Sequence, residues 1–121
     1  MERRLFAAGA LSAALAVLLG SFAAHALKSH LAPEALVTFE TGVRYHFFHA
    51  LGILAAAWAA TRFDPVRAAR GGWLLLGGTV LFSGSLYLLA LTGVRWLGLI
   101  TPFGGFAFIV GWVVLAMAAL K

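Results

Sequence analysis

From Leu5 to Leu27 the chain runs 23 residues without a carboxylate, lysine or arginine. At about 1.5 Å per residue, such a helix exceeds the roughly 30 Å hydrocarbon core of a bilayer. Three more apolar runs follow, at about 43–61, 72–91 and 96–120. Charged residues make up 11% of the chain and hydrophobic residues 63%, against about 25% charged in a soluble domain. So little charge cannot cover a water-soluble core, so lipid must cover it. The reading is an all-α integral membrane protein. One membrane domain, residues 1–121, holds four transmembrane helices in a compact antiparallel bundle.

Nine Lys and Arg face four Asp and Glu, for a net charge of +5. In a soluble chain that balance suggests nucleic acid. Here the cations flank apolar runs, as topology signals do, and nucleic acid is not expected as a partner. Arg3, Arg4, Arg62, Arg67, Arg70 and Lys121 fall on one side, and Lys28, Arg44 and Arg95 on the other. The positive-inside rule therefore puts both termini in the cytoplasm, as four spans also require. Met1-Glu2-Arg3-Arg4, the apolar run and Ala24-His25-Ala26 imitate a cleavable signal, but the run is long for one, and a retained span is expected. The absence of cysteine excludes disulfides, thiolate metal sites and cysteine nucleophiles.

The first loop carries its own pattern. Pro33 suits the first turn of a helix, with Glu34 just behind it. Leu36, Phe39 and Val43 recur at helical spacing among the polar Glu34, Thr38 and Thr41. This predicts a short amphipathic helix at the membrane surface, about 33–41, which either runs on into the second span or bends at Gly42. Pro65 marks the end of the second span. Pro102 either starts the regular fourth helix or kinks it. Small residues supply helix contacts in lipid. Gly9 and Gly20, Gly52, Gly84, and Gly104 with Gly111 mark the faces expected to point inward. A spare small face would serve a homo-oligomer or a larger membrane complex, and membrane lipid is the constant partner.

Against this background one polar run stands out, Phe39-Glu40-Thr41-Gly42-Val43-Arg44-Tyr45-His46-Phe47-Phe48-His49. Tyr45, His46 and His49 share a helix face. With the termini inside, His25, Glu40, Arg44, Tyr45, His46, His49, Ser83, Tyr87 and Thr101 are expected to gather in the outer leaflet. Ionisable groups at such depth are costly and rarely face lipid. The favoured reading is interhelical hydrogen bonding that fixes helix rotation, with no metal and no cofactor. The competing one is a metal or haem site from His25, His46 and His49, with Glu40 as a further candidate ligand. Glu40 and Arg44, spaced i,i+4, form an ordinary ion pair, or Arg44 grips a lipid phosphate. Ser83 as a nucleophile would need a base such as His49, and no carboxylate lies deeper than Glu40 to orient it. No catalytic residue is assigned.

Several segments together resemble a known family. Gly20-Ser21-Phe22-Ala23-Ala24-His25-Ala26-Leu27 is similar to its Gly-Ala-Phe-Gly-Ala-His segment. Tyr45-His46-Phe47-Phe48-His49 resembles its Tyr-Gln-x-x-His segment. Phe82-Ser83-Gly84-Ser85-Leu86-Tyr87, Thr101-Pro102-Phe103-Gly104-Gly105 and Gly111-Trp112 resemble its third and fourth spans. The family is domain of unknown function 423, small bacterial inner-membrane proteins similar also to a eukaryotic four-span protein. The resemblance implies a four-helix protein of the bacterial cytoplasmic membrane and brings no catalytic residues. It also implies that glutamine substitutes at position 46, which favours hydrogen bonding there over metal ligation. The leading expectation is a structural or accessory protein that interacts with lipid or a partner. The alternatives are a transporter of small solutes, protons or metal ions, and an intramembrane enzyme or cofactor-binding protein.

Overall fold

A computed structural model describes residues 2–120, and these are almost entirely helical. Four α-helices follow one another: α1 (Glu2–Ala24), α2 (Pro33–Arg62), α3 (Pro65–Thr92) and α4 (Thr101–Leu120). Short 3-10 turns, Leu27–Ser29 and Arg95–Leu99, fill the first and third connections. Asp64 caps α3 by accepting from the Val66 and Arg67 amides, with Pro65 at the first helical position. α3 ends at Gly93, whose φ of +72° is the left-handed conformation that glycine enters without a Cβ clash.

Three boundaries differ from the sequence reading. There is no separate surface helix over 33–41: those residues are the first turns of the 30-residue α2. The reason is one uninterrupted buried stripe, Phe39, Gly42, His46, His49, Ile53, Ala56 and Ala60, spaced alternately three and four residues apart. Gly42 belongs to that stripe, and the helix passes through it instead of bending. α3 begins at Pro65 rather than near 72, so Arg67 and Arg70 stand on its opening turns. α4 begins at Thr101 rather than 96, with Pro102 in its first turn, where no helical hydrogen bond is lost.

Contacting pairs fix the direction of each helix. Ser12 meets His46 and Ala23 packs with Phe39 across α1 and α2. Across α2 and α3, Gly42 approaches Leu86 and Gly52 approaches Leu75. Across α3 and α4, Gly78 approaches Phe108 and Gly71 approaches Gly111. In each pair one number rises as the other falls, so sequential helices are antiparallel. They do not close into a ring, however. α2 and α3 form the centre, α1 lies on α2, α4 lies on α3, and α1 and α4 share no substantial interface.

The core is apolar at three levels. Ala59, Ala60, Ala68 and Ala118 pack at the second-loop end. Leu5, Ile53, Ala56, Leu75 and Phe108 pack above them, and Ala23, Leu27, Phe39 and Ala90 gather at the first-loop end. Among the described residues three segments are long and apolar enough to cross a membrane: Glu2–Ser29, Pro65–Thr92 and Arg95–Leu120. α2 falls outside that set because Glu34, Glu40, Arg44, His46, His49 and Arg62 lie along it.

The tightest helix crossing is α3 on α4. A Cβ built on Gly104 would lie 2.7 Å from Phe82 Cα, and one on Gly111 would lie 3.1 Å from the Gly71 carbonyl oxygen. Only hydrogen fits where backbone meets backbone, and such close approach is how helices adhere in lipid. Gly9 and Gly20 admit α2 side chains, and Gly52 admits the Trp112 ring. Gly84 corrects an expectation: a Cβ there would meet nothing within 4 Å, so it packs no helix.

These two environments give a paired prediction. Gly104→Val forces backbone apart and should destabilise by about 1–3 kcal/mol, the usual scale of overpacking. Gly84→Ala should stay within about 0.5 kcal/mol of the parent. Thermal unfolding of the two variants in detergent micelles checks this, and equal loss in both would contradict the crossing.

Candidate functional site

The buried stripe of α2 turns His46 toward α1 and α3. Its ring lies between two hydroxyls: Nδ1 is 2.8 Å from Tyr87 Oη on α3, and Nε2 is 3.0 Å from Ser12 Oγ on α1. A neutral imidazole has one N–H and one lone pair, so one hydroxyl donates to it and the other accepts from it. Tyr87 reaches this position because Gly42 leaves room: a Cβ on Gly42 would lie 2.8 Å from Tyr87 Cε1. The Tyr87 ring also packs on Phe39, with centroids 4.8 Å apart. Ser83, one turn back on α3, donates to the Gly42 carbonyl at 2.7 Å. Gly42 thus receives both a side chain and a hydrogen bond from α3.

His49 faces differently. Its Nδ1 lies 2.7 Å from the Tyr45 carbonyl oxygen. A carbonyl only accepts, so Nδ1 carries the proton and Nε2 carries the lone pair of the neutral ring. The imidazole stacks on Phe108 of α4, centroids 3.5 Å apart and planes 9° apart. Trp112 lies beside it at 5.8 Å. Ser85 and Thr101 join the end of α3 to the start of α4 through hydroxyls 2.6 Å apart. Thr79 returns its hydroxyl to the Leu75 carbonyl. Among the described residues no sealed side-chain nitrogen or oxygen lacks a partner, as burial in a low-dielectric interior demands.

The expected nine-residue cluster therefore divides. His46, Ser83 and Tyr87 come together around Gly42. His49 and Tyr45 face α3 and α4, and Ser85 with Thr101 forms a separate link. His25 is exposed at the end of α1, and Glu40 and Arg44 are exposed beside a groove between α1 and α2. The expected Glu40–Arg44 pair does not form: among the described residues the one ion pair is Arg67–Asp64. The three-histidine metal site is likewise overturned. No group of three metal-ligating side chains converges among the described residues, because His46 and His49 point at different helices and His25 at neither. Nor does Ser83 meet His49, since its proton goes to Gly42.

The site's place along the helices follows from their bounds. With α2 beginning at Pro33, His46 lies about 20 Å along the helix from that end, at about 1.5 Å per residue. Its partner Ser12 stands midway along α1. The polar level is near the middle of the bundle. Sequence reasoning left out Ser12, Phe39, Gly42 and Phe108 as members of this site. The alternating three-and-four spacing from Phe39 to Ala60 was the available signal, and it fits the alternative in which the helix over 33–41 runs on into the second span.

A double-mutant cycle tests the central contact. His46→Ala and Tyr87→Phe should couple by about 0.6 kcal/mol, with about 1.7 as the upper range for interhelical hydrogen bonds in bilayers. Reversible unfolding in mixed micelles measures it, and His46→Gln should keep part of the stability that His46→Ala loses. Additive losses in the cycle would show that the two rings do not interact.

Known proteins place this arrangement in a wider set. The family model described as protein of unknown function (DUF423) matches residues 19–105. The UPF0382 membrane protein YwdK of Bacillus subtilis is 46% identical over 114 residues, covering 93% of each chain. A UPF0382 membrane protein of Haemophilus influenzae is 40% identical, covering 100% of this chain and 97% of its own. The UPF0382 inner membrane protein YgdD of Escherichia coli is 38% identical, covering 93% of this chain and 86% of its own. No solved structure matches significantly. Most of the chain is covered in each comparison: it belongs to the DUF423 family of membrane proteins, for which no biochemical role is established.

Proposed function

We propose that this chain is a non-catalytic, four-span protein of the cytoplasmic membrane, with both termini in the cytoplasm, that acts as a structural or accessory component among lipids and partner proteins. One observation carries this reading: the hydroxyls of Ser12, Ser83, Ser85, Tyr87 and Thr101 and the His46 imidazole are spent on holding helices to one another. A serine nucleophile must give its proton to a base, and Ser83 gives its proton to the Gly42 carbonyl. A transporter needs polar groups along its whole length. Here the buried side-chain polar groups reach no further than Thr79, and Leu5, Ile53, Ala56 and Leu75 fill the interior beyond it toward the second loop.

The case for α2 as a span rests on its neighbours. It lies antiparallel between α1 and α3, both long and apolar enough to cross. Its buried His46 imidazole is satisfied by hydroxyls of the two adjacent helices, away from lipid. Glu40 and Arg44 stand toward the Pro33 end, where long side chains extend to the headgroups. Arg62, Arg67 and Arg70 gather at the opposite end, the cytoplasmic one by the positive-inside rule.

The native chain has no cysteine, so single-cysteine variants report topology without background. With a membrane-impermeant maleimide on intact cells, S29C and V94C should label, and F63C should label only after permeabilisation. Labelling of S29C and F63C from the same side would show that α2 does not cross.

A further inference from the structure

His49 holds an atom that the rest of the fold does not use. The residue is 6% exposed. Its Nδ1–H is committed to the Tyr45 carbonyl, and Nε2 makes no hydrogen bond. No side-chain polar atom among the described residues is both sealed and unpaired, so Nε2 must border open space. The open space beside it is a groove of about 550 Å³ on the α2, α3 and α4 face, walled by Tyr45, Phe82, Phe106, Phe108 and Trp112. That volume lies within the usual range of small-molecule sites. Along α2, His49 is about 24 Å from Pro33 and about 20 Å from Arg62, at about 1.5 Å per residue. On the proposed four-span reading, this groove opens to acyl chains near mid-bilayer and not to bulk water.

A lone pair facing hydrocarbon is an unsatisfied acceptor. The occupant that satisfies it must bring a hydrogen. Ester and ketone oxygens of lipids cannot, because they only accept. The walls add a second requirement. Five aromatic rings line the groove, with the Phe108 ring stacked on the imidazole itself, and aromatic faces select flat rings in offset or edge contact. A donor hydroxyl and a flat ring on one membrane-soluble molecule define a phenol or hydroquinone. We propose that the groove beside His49 binds a membrane-soluble aromatic hydroxyl compound, a hydroquinone or phenol, whose O–H donates to His49 Nε2.

This inference rests on α2 lying in the bilayer, which the labelling pattern tests separately. If F63C and S29C label from opposite sides and binding fails, the site alone is wrong. The binding experiment uses the full chain in phosphatidylcholine nanodiscs, titrated with a short-chain alkyl-1,4-hydroquinone kept reduced. Its dimethyl ether, which has no hydrogen to donate, is the matched control. The hydroquinone should bind saturably and shift the ¹⁵N resonance of His49 Nε2. The dimethyl ether should bind about tenfold more weakly, the effect of roughly one lost hydrogen bond. His49→Phe keeps a ring on Phe108, removes the acceptor and should show the same loss. The ether comparison uses the native chain, so it stands even if that variant does not fold. Equal affinity for the ether, an unmoved Nε2 resonance, or no saturable binding would overturn the proposal. An equal Nε2 shift from a straight-chain alcohol would overturn the aromatic class.

Discussion

His46, an imidazole buried in the interior of a membrane protein, finds a donor and an acceptor within the protein, on two different helices. Ser12 on α1 and Tyr87 on α3 take its two nitrogens. Each contact fixes a rotation. α1 must turn Ser12 inward from an otherwise apolar helix, and α3 must present Tyr87 over Gly42. The glycine is what makes the second contact geometrically available, because any side chain at 42 would occupy the space of the tyrosine ring. Ser83 then secures the same turn of α2 through the Gly42 carbonyl. One level of the molecule thereby sets the register of three helices.

The other half is assembled by a different force. α4 carries almost no polar side chain, and its hydrogen bonds to α3 lie toward the two ends, Ser85 with Thr101 at one and Arg67 to the Met117 carbonyl at the other. It is held by close packing, with Gly104 against Phe82 backbone and Gly111 against the Gly71 carbonyl. Dispersion between closely approaching backbones replaces the hydrophobic effect, which offers helices little in lipid. The protein thus divides into a hydrogen-bonded side, α1–α2–α3, and a close-packed side, α3–α4. His49 lies at their junction, bonded within α2 but stacked on α4.

Much of this was legible in the residues. The helical class followed from uncharged runs long enough to cross a bilayer, and Gly104 and Gly111 announced close packing. Other parts were not. The amphipathic look of 33–41 arose because Phe39 faces α3 while Glu34, Thr38 and Thr41 face outward, which a surface helix and a buried helix end produce alike. Gly84 looked like a contact because composition cannot say which side of a helix meets a neighbour. The separation of His46 from His49 was hidden for the same reason: an i,i+3 spacing puts two side chains on one face, but three surrounding helices divide that face between them.

The central claim is that His46 is a buried bridge between α1 and α3. Solid-state NMR of the protein in lipid bilayers tests it directly. The account predicts cross-peaks from the His46 ring to both Tyr87 and Ser12, with no broadening of the His46 signals by a water-soluble paramagnetic ion. Absence of both cross-peaks, together with strong broadening by the aqueous ion, would contradict it.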